Sequence, residues 1–276
     1  MKNNTRGVVI GGVAIVVTAV FFLVPFAFVF VIASKDRVEA NLLQFSWPSH
    51  FVLLDNLTQA FAARDYLMVI AFINSVILTA VSVAALVFLS AMVAYVWQRR
   101  SGRLSGLING LVLAGLIVPP AVVPTIWVLQ KVGLFKTMPG LILVEIAYGL
   151  PFCILLFRAF IASVPRELDE AAVVDGASPL QIFFRVIFPV LRSVMITVII
   201  LQSVTIYNDF QNPLYFLPGT ENATIQLTLL NFQSQFTTQY NLLFATVLLV
   251  TVPPLIMFIF FNRKIVEGMA AGSVKG

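Results

Sequence analysis

The chain has 276 residues, of which 60% are hydrophobic and 11% charged, and its mean hydropathy is +0.99. A water-soluble domain of this length cannot bury so much apolar surface, so lipid must solvate much of it. The formal net charge of +5 does not indicate nucleic-acid binding, because no basic run lies on a separate polar domain. A single cysteine, Cys153, and a single histidine, His50, exclude an intrachain disulfide and a His/Cys metal cluster.

Six apolar segments are long enough to be membrane spans, which need about 20 residues each. In chain order the predicted spans are residues 7–34, 66–97, 104–130, 139–157, 193–217 and 241–261. The first span has a rival interpretation as a signal peptide, because Lys2 and Arg6 precede it, but its length favours a retained helix. In the third span, Pro119 and Pro120 predict that the helix stops near Val118, because proline cannot donate a backbone hydrogen bond.

The distribution of Lys and Arg orients the predicted spans. With six spans, both termini and the loops after spans two and four lie on the same side of the membrane. These regions carry twelve of the 17 Lys and Arg residues. Basic residues collect on the cytoplasmic side, so the sequence predicts a multi-pass protein with both termini in the cytoplasm.

The loop between spans four and five has the signals of two short helices. Pro165 is expected at the first helical position and Gly176 at a left-handed helix stop. Ser178 and Gln181 have the spacing of a capping box, which starts a second helix. These signals leave two alternatives open. The loop is either an interfacial helix that links two spans or a surface that another protein approaches.

The same loop contains Glu170-Ala171-Ala172, then Asp175-Gly176-Ala177, and then Phe188-Pro189. This arrangement resembles the EAA loop of permeases in ABC importers, although Val186 and Phe188 replace the Ile and Leu of the family pattern. In that family the loop forms a coupling helix seated in a cleft of a cytoplasmic ATPase subunit. The resemblance therefore implies ATPase coupling by Glu170, Ala171, Ala172, Asp175, Gly176 and Pro189.

Two other segments are similar to the carbohydrate-type, MalG-like branch of these permeases. They are Asn74-Ser75 near the start of span two and the ending 268–276, in which Met269 and Ala270 depart from the usual form. In the best-known member the tail reaches between the ATPase subunits. The resemblance thus implies that such a contact involves Gly272, Lys275 and Gly276.

The resemblance, which covers roughly residue 55 to the C-terminus, implies an all-α integral membrane protein with the type I ABC importer permease fold. It implies one transmembrane domain over residues 1–276, with a core at 65–265, an EAA coupling loop at 163–192 and a cytoplasmic tail at 262–276. The membrane is then the plasma membrane of a bacterium or archaeon, and the solute is a sugar or oligosaccharide.

The resemblance also implies partners. These are a second, MalF-like permease subunit, two cytoplasmic ABC ATPase subunits and an extracytoplasmic solute-binding protein. This chain contains no Gly-x4-Gly-Lys-Ser/Thr phosphate loop. We therefore expect ATP and Mg on the ATPase subunits, and no catalytic residue, metal or cofactor site in this chain.

Polar residues in the membrane segments are candidates for the solute path, because ionisable groups there usually face a bundle interior or a watery cavity. Asp209, with Asn208 and Asn212, is the first candidate. An alternative is that Asp209 ends a helix near the outer surface and bonds to its neighbours, and the sequence does not decide between the two. Glu145 is expected near the outer interface, where a structural role is favoured.

Two other function classes compete with the importer permease. A carrier driven by an ion gradient would need several intramembrane charges or broken helices in repeated positions. Glu145 and Asp209 are too few for that. An intramembrane enzyme would need a nucleophile with its base, or a metal cluster, at membrane depth. With one histidine outside the apolar core and one lone cysteine, that interpretation is weak, so the sequence favours the permease.

Overall fold

The structure, a computed structural model, describes residues 2–100, 102–219, 222–233 and 238–273. Helices dominate this part of the chain, which contains no β-strand apart from one isolated bridge between Gln233 and Thr238. The α-helices are α1 Lys2–Ala33, α2 Arg37–Ala40, α3 Leu53–Arg99, α4 Arg103–Ile117, α5 Val122–Lys131, α6 Met138–Ile161, α7 Glu167–Val174, α8 Pro179–Gln181, α9 Phe188–Val190, α10 Arg192–Tyr207, α11 Gln211–Phe216 and α12 Tyr240–Ser273. A π-helical turn, Ile182–Ile187, and a 3₁₀ helix, Ile225–Phe232, complete the helical elements.

Within the described residues, four helical segments are long and apolar enough to cross a membrane. They are Ile10–Ala33, Leu53–Arg99, Met138–Ile161 and Tyr240–Phe260. Two pairs of shorter helices reach the same length only together, and each pair is sharply bent. If each bent pair is one span, the number of spans is six, which confirms the all-α, multi-span fold expected from the sequence.

The bends lie beside prolines or at a break between two helices. α4 ends at Ile117, and Val118 already has extended backbone, so the predicted stop near Val118 is correct. Pro119 and Pro120 follow, and because proline disfavours a helical residue before it, the chain turns by 118° before α5 begins. The second bend, of 74°, lies at Leu191 between α9 and α10.

The chain forms two compact units. The first consists of Met1–Val69 and Thr228–Val252, and the second of Ile70–Leu227 and Pro253–Gly276. The chain passes from the first to the second within α3, shortly after a break at Ala63–Tyr66 where the backbone leaves helical geometry. Whether the whole chain acts as a single transmembrane domain stays a prediction.

Buried polar side chains hold the first unit together around the end of α1. The ammonium group of Lys35, whose residue is fully buried, donates to the Gln44 carbonyl oxygen at 2.9 Å and to Ser46 Oγ at 3.0 Å. The Glu39 carboxylate lies 3.7 Å from the Lys35 nitrogen. These contacts fix the polar segment between α1 and α3 and offset the cost of burying the Lys35 charge.

Asn56, in the first turns of α3, joins three parts of the first unit. Its side-chain amide donates to the carbonyl oxygens of Ala33 and Lys35, both at 2.8 Å. Its side-chain oxygen accepts a hydrogen bond from Asn241, at the start of α12, at 2.9 Å. Asn56 therefore satisfies carbonyls at the end of α1, which have no partner within the helix.

The second unit packs α3, α4, α6 and α10 around a continuous apolar core. Fully or almost fully buried members of this core include Leu86, Phe157, Ile187, Leu191 and Val198. α4 and α6 approach closely at Gly115, where an added methyl group would lie 2.6 Å from the Pro151 ring. This close approach positions α6, and α6 in turn leads into the loop between spans four and five.

We expect Asn56→Ala to destabilise the protein by about 2–3 kcal/mol, because two buried carbonyl oxygens and the Asn241 amide lose their partner. Thermal unfolding in detergent measures the effect as a lowered Tm. Asn41→Ala is the matched control, since Asn41 is exposed and its side chain makes no hydrogen bond within the described part of the chain. Equal Tm values for the two variants would show that the Asn56 contacts do not stabilise the fold.

Candidate coupling loop and membrane pocket

The loop 163–192 begins with α7, whose start differs from the expectation. Pro165 lies two residues before the helix and not at its first position. The physical reason is that the first helical bonds are accepted by the Arg166 carbonyl oxygen, from the N–H groups of Asp169 at 2.9 Å and Glu170 at 3.1 Å. Pro165 therefore shapes the entry to the helix, and Arg166 is its N-cap.

Gly176 ends α7 as predicted, with a φ of +77°. The Gly176 N–H donates to the Val173 carbonyl at 3.0 Å, and the Ala177 N–H to the Ala172 carbonyl at 3.0 Å. These two bonds define a Schellman motif, which satisfies carbonyls at the helix end. An added methyl group at Gly176 would meet no atom within 4 Å, so the glycine is needed for its backbone conformation and not for space.

The predicted capping box is also present. The Ser178 N–H donates to the Gln181 side-chain oxygen at 2.8 Å, and the Gln181 N–H donates to Ser178 Oγ at 3.4 Å.

Further along, the chain reaches Pro189, which has no N–H to offer to the preceding turn. The chain forms a wider, π-helical turn just before it, and the Phe188 N–H donates to the Phe183 carbonyl.

The residues predicted to couple to an ATPase divide into two sets. Ala172 is buried and packs into the apolar core of the second unit. Exposed members of the set are Glu170, Ala171, Asp175, Gly176 and Pro189. Beside them α7 and α8 present apolar side chains to the outside, with Val174 87% exposed, Val173 61% and Leu180 63%. The exposed face of α7 is therefore both acidic and apolar.

The C-terminal end of α3 anchors this loop. Arg99 Nη2 lies 2.9 Å from Asp169 Oδ2 and donates to the Val164 carbonyl at 3.1 Å. The Tyr95 hydroxyl donates to the other oxygen of Asp169. Both partners of the ion pair are largely buried, so the pair is shielded from water. Nothing in the local sequence spacing joins Arg99 to Asp169, because the two lie on separate segments.

A second contact from the same helix end supports α6 where it leads into the loop. The Arg158 guanidinium lies 3.6 Å from the centre of the Trp97 ring, a cation–π arrangement. Arg158 Nε also donates to the Gln98 side-chain oxygen at 3.3 Å. The end of α3 therefore contacts the loop at α7 and holds the last turn of α6.

Asp209 lies after the end of α10 and bonds to the first residues of α11. Its Oδ1 accepts from the N–H groups of Gln211 at 2.8 Å and Asn212 at 3.2 Å. The Asn212 side-chain amide in turn donates to Glu145 Oε1 at 3.2 Å, and Glu145 is only 5% exposed. The two carboxylates thus share Asn212 as a common hydrogen-bond donor.

Asp209, Asn212 and Glu145 line a cavity of about 390 Å³ between α6 and the α10–α11 junction. Asn208 does not line it: its amide donates to the Val204 carbonyl, and its oxygen accepts from Gln226. The remaining lining residues are Tyr148, Gly149, Phe152, Leu201, Gln202 and Thr205. Of these, Gln202 has a signal in the sequence, since it is an amide within an apolar span.

Part of the predicted tail is helical. α12 continues from Tyr240 to Ser273, so residues 262–273 extend the helix of the last span. The backbone of Gly272 belongs to this helix, whereas Lys275 and Gly276 lie outside the described residues. Contact of these three with ATPase subunits stays a prediction.

The fold and the loop define a class of protein: a helical membrane protein that carries a structured loop between its fourth and fifth spans. Residues 86–269 match the family described as "Binding-protein-dependent transport system inner membrane component". The match covers about two thirds of the chain, so the chain belongs to this family. It is therefore a multi-pass membrane protein and a permease component of such a transport system.

Individual relatives agree with this assignment. The probable ABC transporter permease protein YurM of Bacillus subtilis is 35% identical over 207 residues, 74% of this chain and 69% of that protein. The melibiose/raffinose/stachyose import permease MelC of the same species is 31% identical over 208 residues, 74% and 75% of the two chains. The diacetylchitobiose uptake permease NgcG of Streptomyces coelicolor is 30% identical over 278 residues, 99% and 91% of the two chains.

Solved structures show the same fold. A chain of a bacterial ABC transporter involved in the import of the acidic polysaccharide alginate superposes with a TM-score of 0.81 at 18% identity. The superposition covers 95% of this chain and 98% of that chain. This similarity confirms the importer permease fold that the resemblance implied.

We expect Arg99→Ala to destabilise the protein by about 2 kcal/mol, because Asp169 keeps a largely buried charge without its ion-pair partner. The loop should then open locally, and a glutamate-specific protease should cleave more rapidly at Glu167 or Glu170. Arg100→Ala is the matched control, because Arg100 is the next residue and is exposed. Unchanged cleavage in Arg99→Ala would contradict the anchoring of the loop by α3.

Proposed function

We propose that this chain forms half of the translocation path of an ATP-driven importer for sugars or oligosaccharides. The observation that carries the proposal is the loop 163–192, a capped and anchored element that exposes an acidic and apolar helix face. The names of relatives support the solute class, since MelC is named for melibiose, raffinose and stachyose, and NgcG for diacetylchitobiose. A second, MalF-like permease subunit supplies the other half of the path.

The α7 face is the contact for a cytoplasmic ATPase subunit. Its exposed Val173 and Val174 offer apolar area for burial, and Glu170 offers a charge to a basic group of the partner. ATP and Mg bind to two such ATPase subunits. Because α7 is only eight residues long, it depends on its caps and on Asp169 for its conformation.

Movement of α7 reaches the membrane by three routes in this chain. α6 and the helices that follow Ser178 are its covalent neighbours, and α3 is joined to it by the Arg99–Asp169 ion pair. When the two ATPase subunits close on ATP, they draw the paired coupling loops together. The spans then tilt, and the solute path changes from inward-facing to outward-facing.

Both termini lie in the cytoplasm of a bacterial or archaeal cell, and an extracytoplasmic binding protein delivers the solute. The end of the chain, with Gly272, Lys275 and Gly276, reaches between the ATPase subunits. Asp209 and Asn212 contribute to the solute path within the membrane, and Asn208 lies beside it.

The test is the ATPase activity of the complex purified through this chain. We expect Gly176→Asp to reduce solute-stimulated ATP hydrolysis at least ~10-fold, because the left-handed backbone at Gly176 is strained by any side chain and the acid adds charge to the docking face. Gly219→Asp is the matched control. Gly219 also has positive φ, +132°, with open space around it, but it lies outside the coupling loop.

Two results would contradict the proposal. One is equal loss of activity in the Gly176 and Gly219 variants. The other is a wild-type preparation in which no ATPase copurifies and solute uptake persists without ATP. The second result would make a gradient-driven carrier the better assignment.

A further inference from the structure

The cavity between α6 and the α10–α11 junction is unusually polar for a membrane region. Six of its lining residues carry polar side chains, and four of these supply carboxylate or amide groups. The polar set is Glu145, Tyr148, Gln202, Thr205, Asp209 and Asn212. Its volume of about 390 Å³ lies in the range typical of small-molecule sites.

Two of these side chains are more than nine-tenths buried. Glu145 is 5% exposed and Gln202 is 6% exposed. Burying a carboxyl or an amide at membrane depth costs several kcal/mol unless each polar atom finds a partner, so such residues usually have a function. Asn212 satisfies one oxygen of Glu145 and leaves the carboxylate facing the cavity.

The surrounding residues hold this arrangement in place. Asp209 fixes the start of α11 through the Asn212 N–H and thereby orients the Asn212 amide toward Glu145. Gly149 lies four residues after Glu145 on α6, and a methyl group there would lie 3.3 Å from Gln202 Oε1 and 3.0 Å from a methyl carbon of Leu86. Gly149 therefore leaves room for the Gln202 amide at the cavity wall.

The chemistry of the lining selects a ligand class. Carboxylate oxygens accept hydrogen bonds, and the Tyr148 hydroxyl and the Gln202 amide can both donate and accept. The Thr205 hydroxyl already donates to the Leu201 carbonyl at 2.9 Å, so it can accept from a ligand. Such a set matches a ring that carries several hydroxyl groups. The rings of Tyr148 and Phe152 add apolar area for the C–H face of that ring. An anionic ligand would meet the acidic side chains of Glu145 and Asp209 in a region of low dielectric constant, where a negative charge on either one repels it strongly.

We propose that this cavity binds one ring of a neutral saccharide during its passage, and that Glu145 and Asp209 exclude acidic saccharides. The proposal rests on the importer function above and adds that this permease half itself contacts the solute. Glu145 and Gln202 line this cavity, whereas Asn208, which the sequence analysis named as a solute-path candidate, does not. The hydroxyl groups of the ring donate to the two carboxylates, and Gln202 with Thr205 completes the contacts.

The experiment uses the complex purified through this chain, reconstituted in vesicles with its ATPase and binding protein. Import of radiolabelled raffinose, diacetylchitobiose and maltotriose is compared with import of trigalacturonate, an acidic trisaccharide. ATP hydrolysis is measured in the same vesicles, so that the sugar imported per ATP is obtained. This ratio reports on the solute path, since a merely structural change lowers both quantities together.

We expect wild type to import at least one neutral probe and not trigalacturonate. Glu145→Gln and Asp209→Asn should each lower the sugar imported per ATP at least ~5-fold, because a carboxylate acceptor makes about twice as strong a hydrogen bond as an amide. Asp55→Asn is the matched control, since Asp55 is exposed in the first unit. That variant should keep the wild-type ratio.

Cysteine labelling gives a second measurement, which does not require the carboxylate variants to remain active. Thr205 is an exposed member of the lining, and the native cysteine, Cys153, is fully buried. A Thr205→Cys variant should react with a hydrophilic maleimide. The transported neutral sugar should slow this reaction at least threefold, and trigalacturonate should not.

The outcomes separate the two proposals. Suppose that a neutral sugar is imported with ATP, that the sugar imported per ATP is unchanged in both carboxylate variants, and that no sugar protects the thiol of the Thr205→Cys variant. This result would overturn the cavity as a solute site and leave the importer intact. ATP-dependent import of trigalacturonate alone would overturn the exclusion of acidic saccharides. Absence of ATP-dependent import of every probe by wild type would overturn the sugar importer itself, and the cavity proposal with it.

Discussion

The ion pair between Arg99 and Asp169 is the contact on which the coupling loop depends. α7 is too short to be stable alone in water, and its two ends are fixed by different means. Its C-terminal end is closed locally by the Schellman motif at Gly176, whereas its N-terminal end is held by Arg99 and Tyr95 from α3. The loop can therefore act as one element with the membrane helices, and a force on α7 is transmitted to α3 as well as to its neighbours in sequence.

The sequence predicted the parts of the loop that have local causes. Gly176 stops α7 because glycine alone adopts its backbone without strain, and Ser178 starts the next helix through a capping box with Gln181. The predicted start of α7 was wrong, because backbone hydrogen bonds to the Arg166 carbonyl oxygen, and not the fixed φ of Pro165, decide where the helix begins. The Arg99–Asp169 pair was not predictable, since it depends on how α3 packs against the loop.

For the membrane pocket too, the sequence predicted features with local causes and missed contacts between distant segments. The sequence named Asp209 and Asn212, which follow the end of α10, as solute-path candidates, and they line one cavity. It gave no means to see that Glu145 on α6 shares Asn212 with Asp209, because that contact joins distant segments. Asn208 was grouped with them because it is adjacent in sequence, yet its side chain is turned to Val204 and Gln226.

Site-directed cross-linking tests most directly whether the exposed face of α7 contacts an ATPase subunit. Val174 is 87% exposed at the end of α7, and Val38 is 79% exposed in α2, on the opposite predicted side of the membrane. With Cys153 buried, a single cysteine at either position carries a maleimide cross-linker. We predict that Val174→Cys cross-links to the ATPase subunit and Val38→Cys does not. Cross-linking of neither variant in a complex that retains its ATPase would contradict the account.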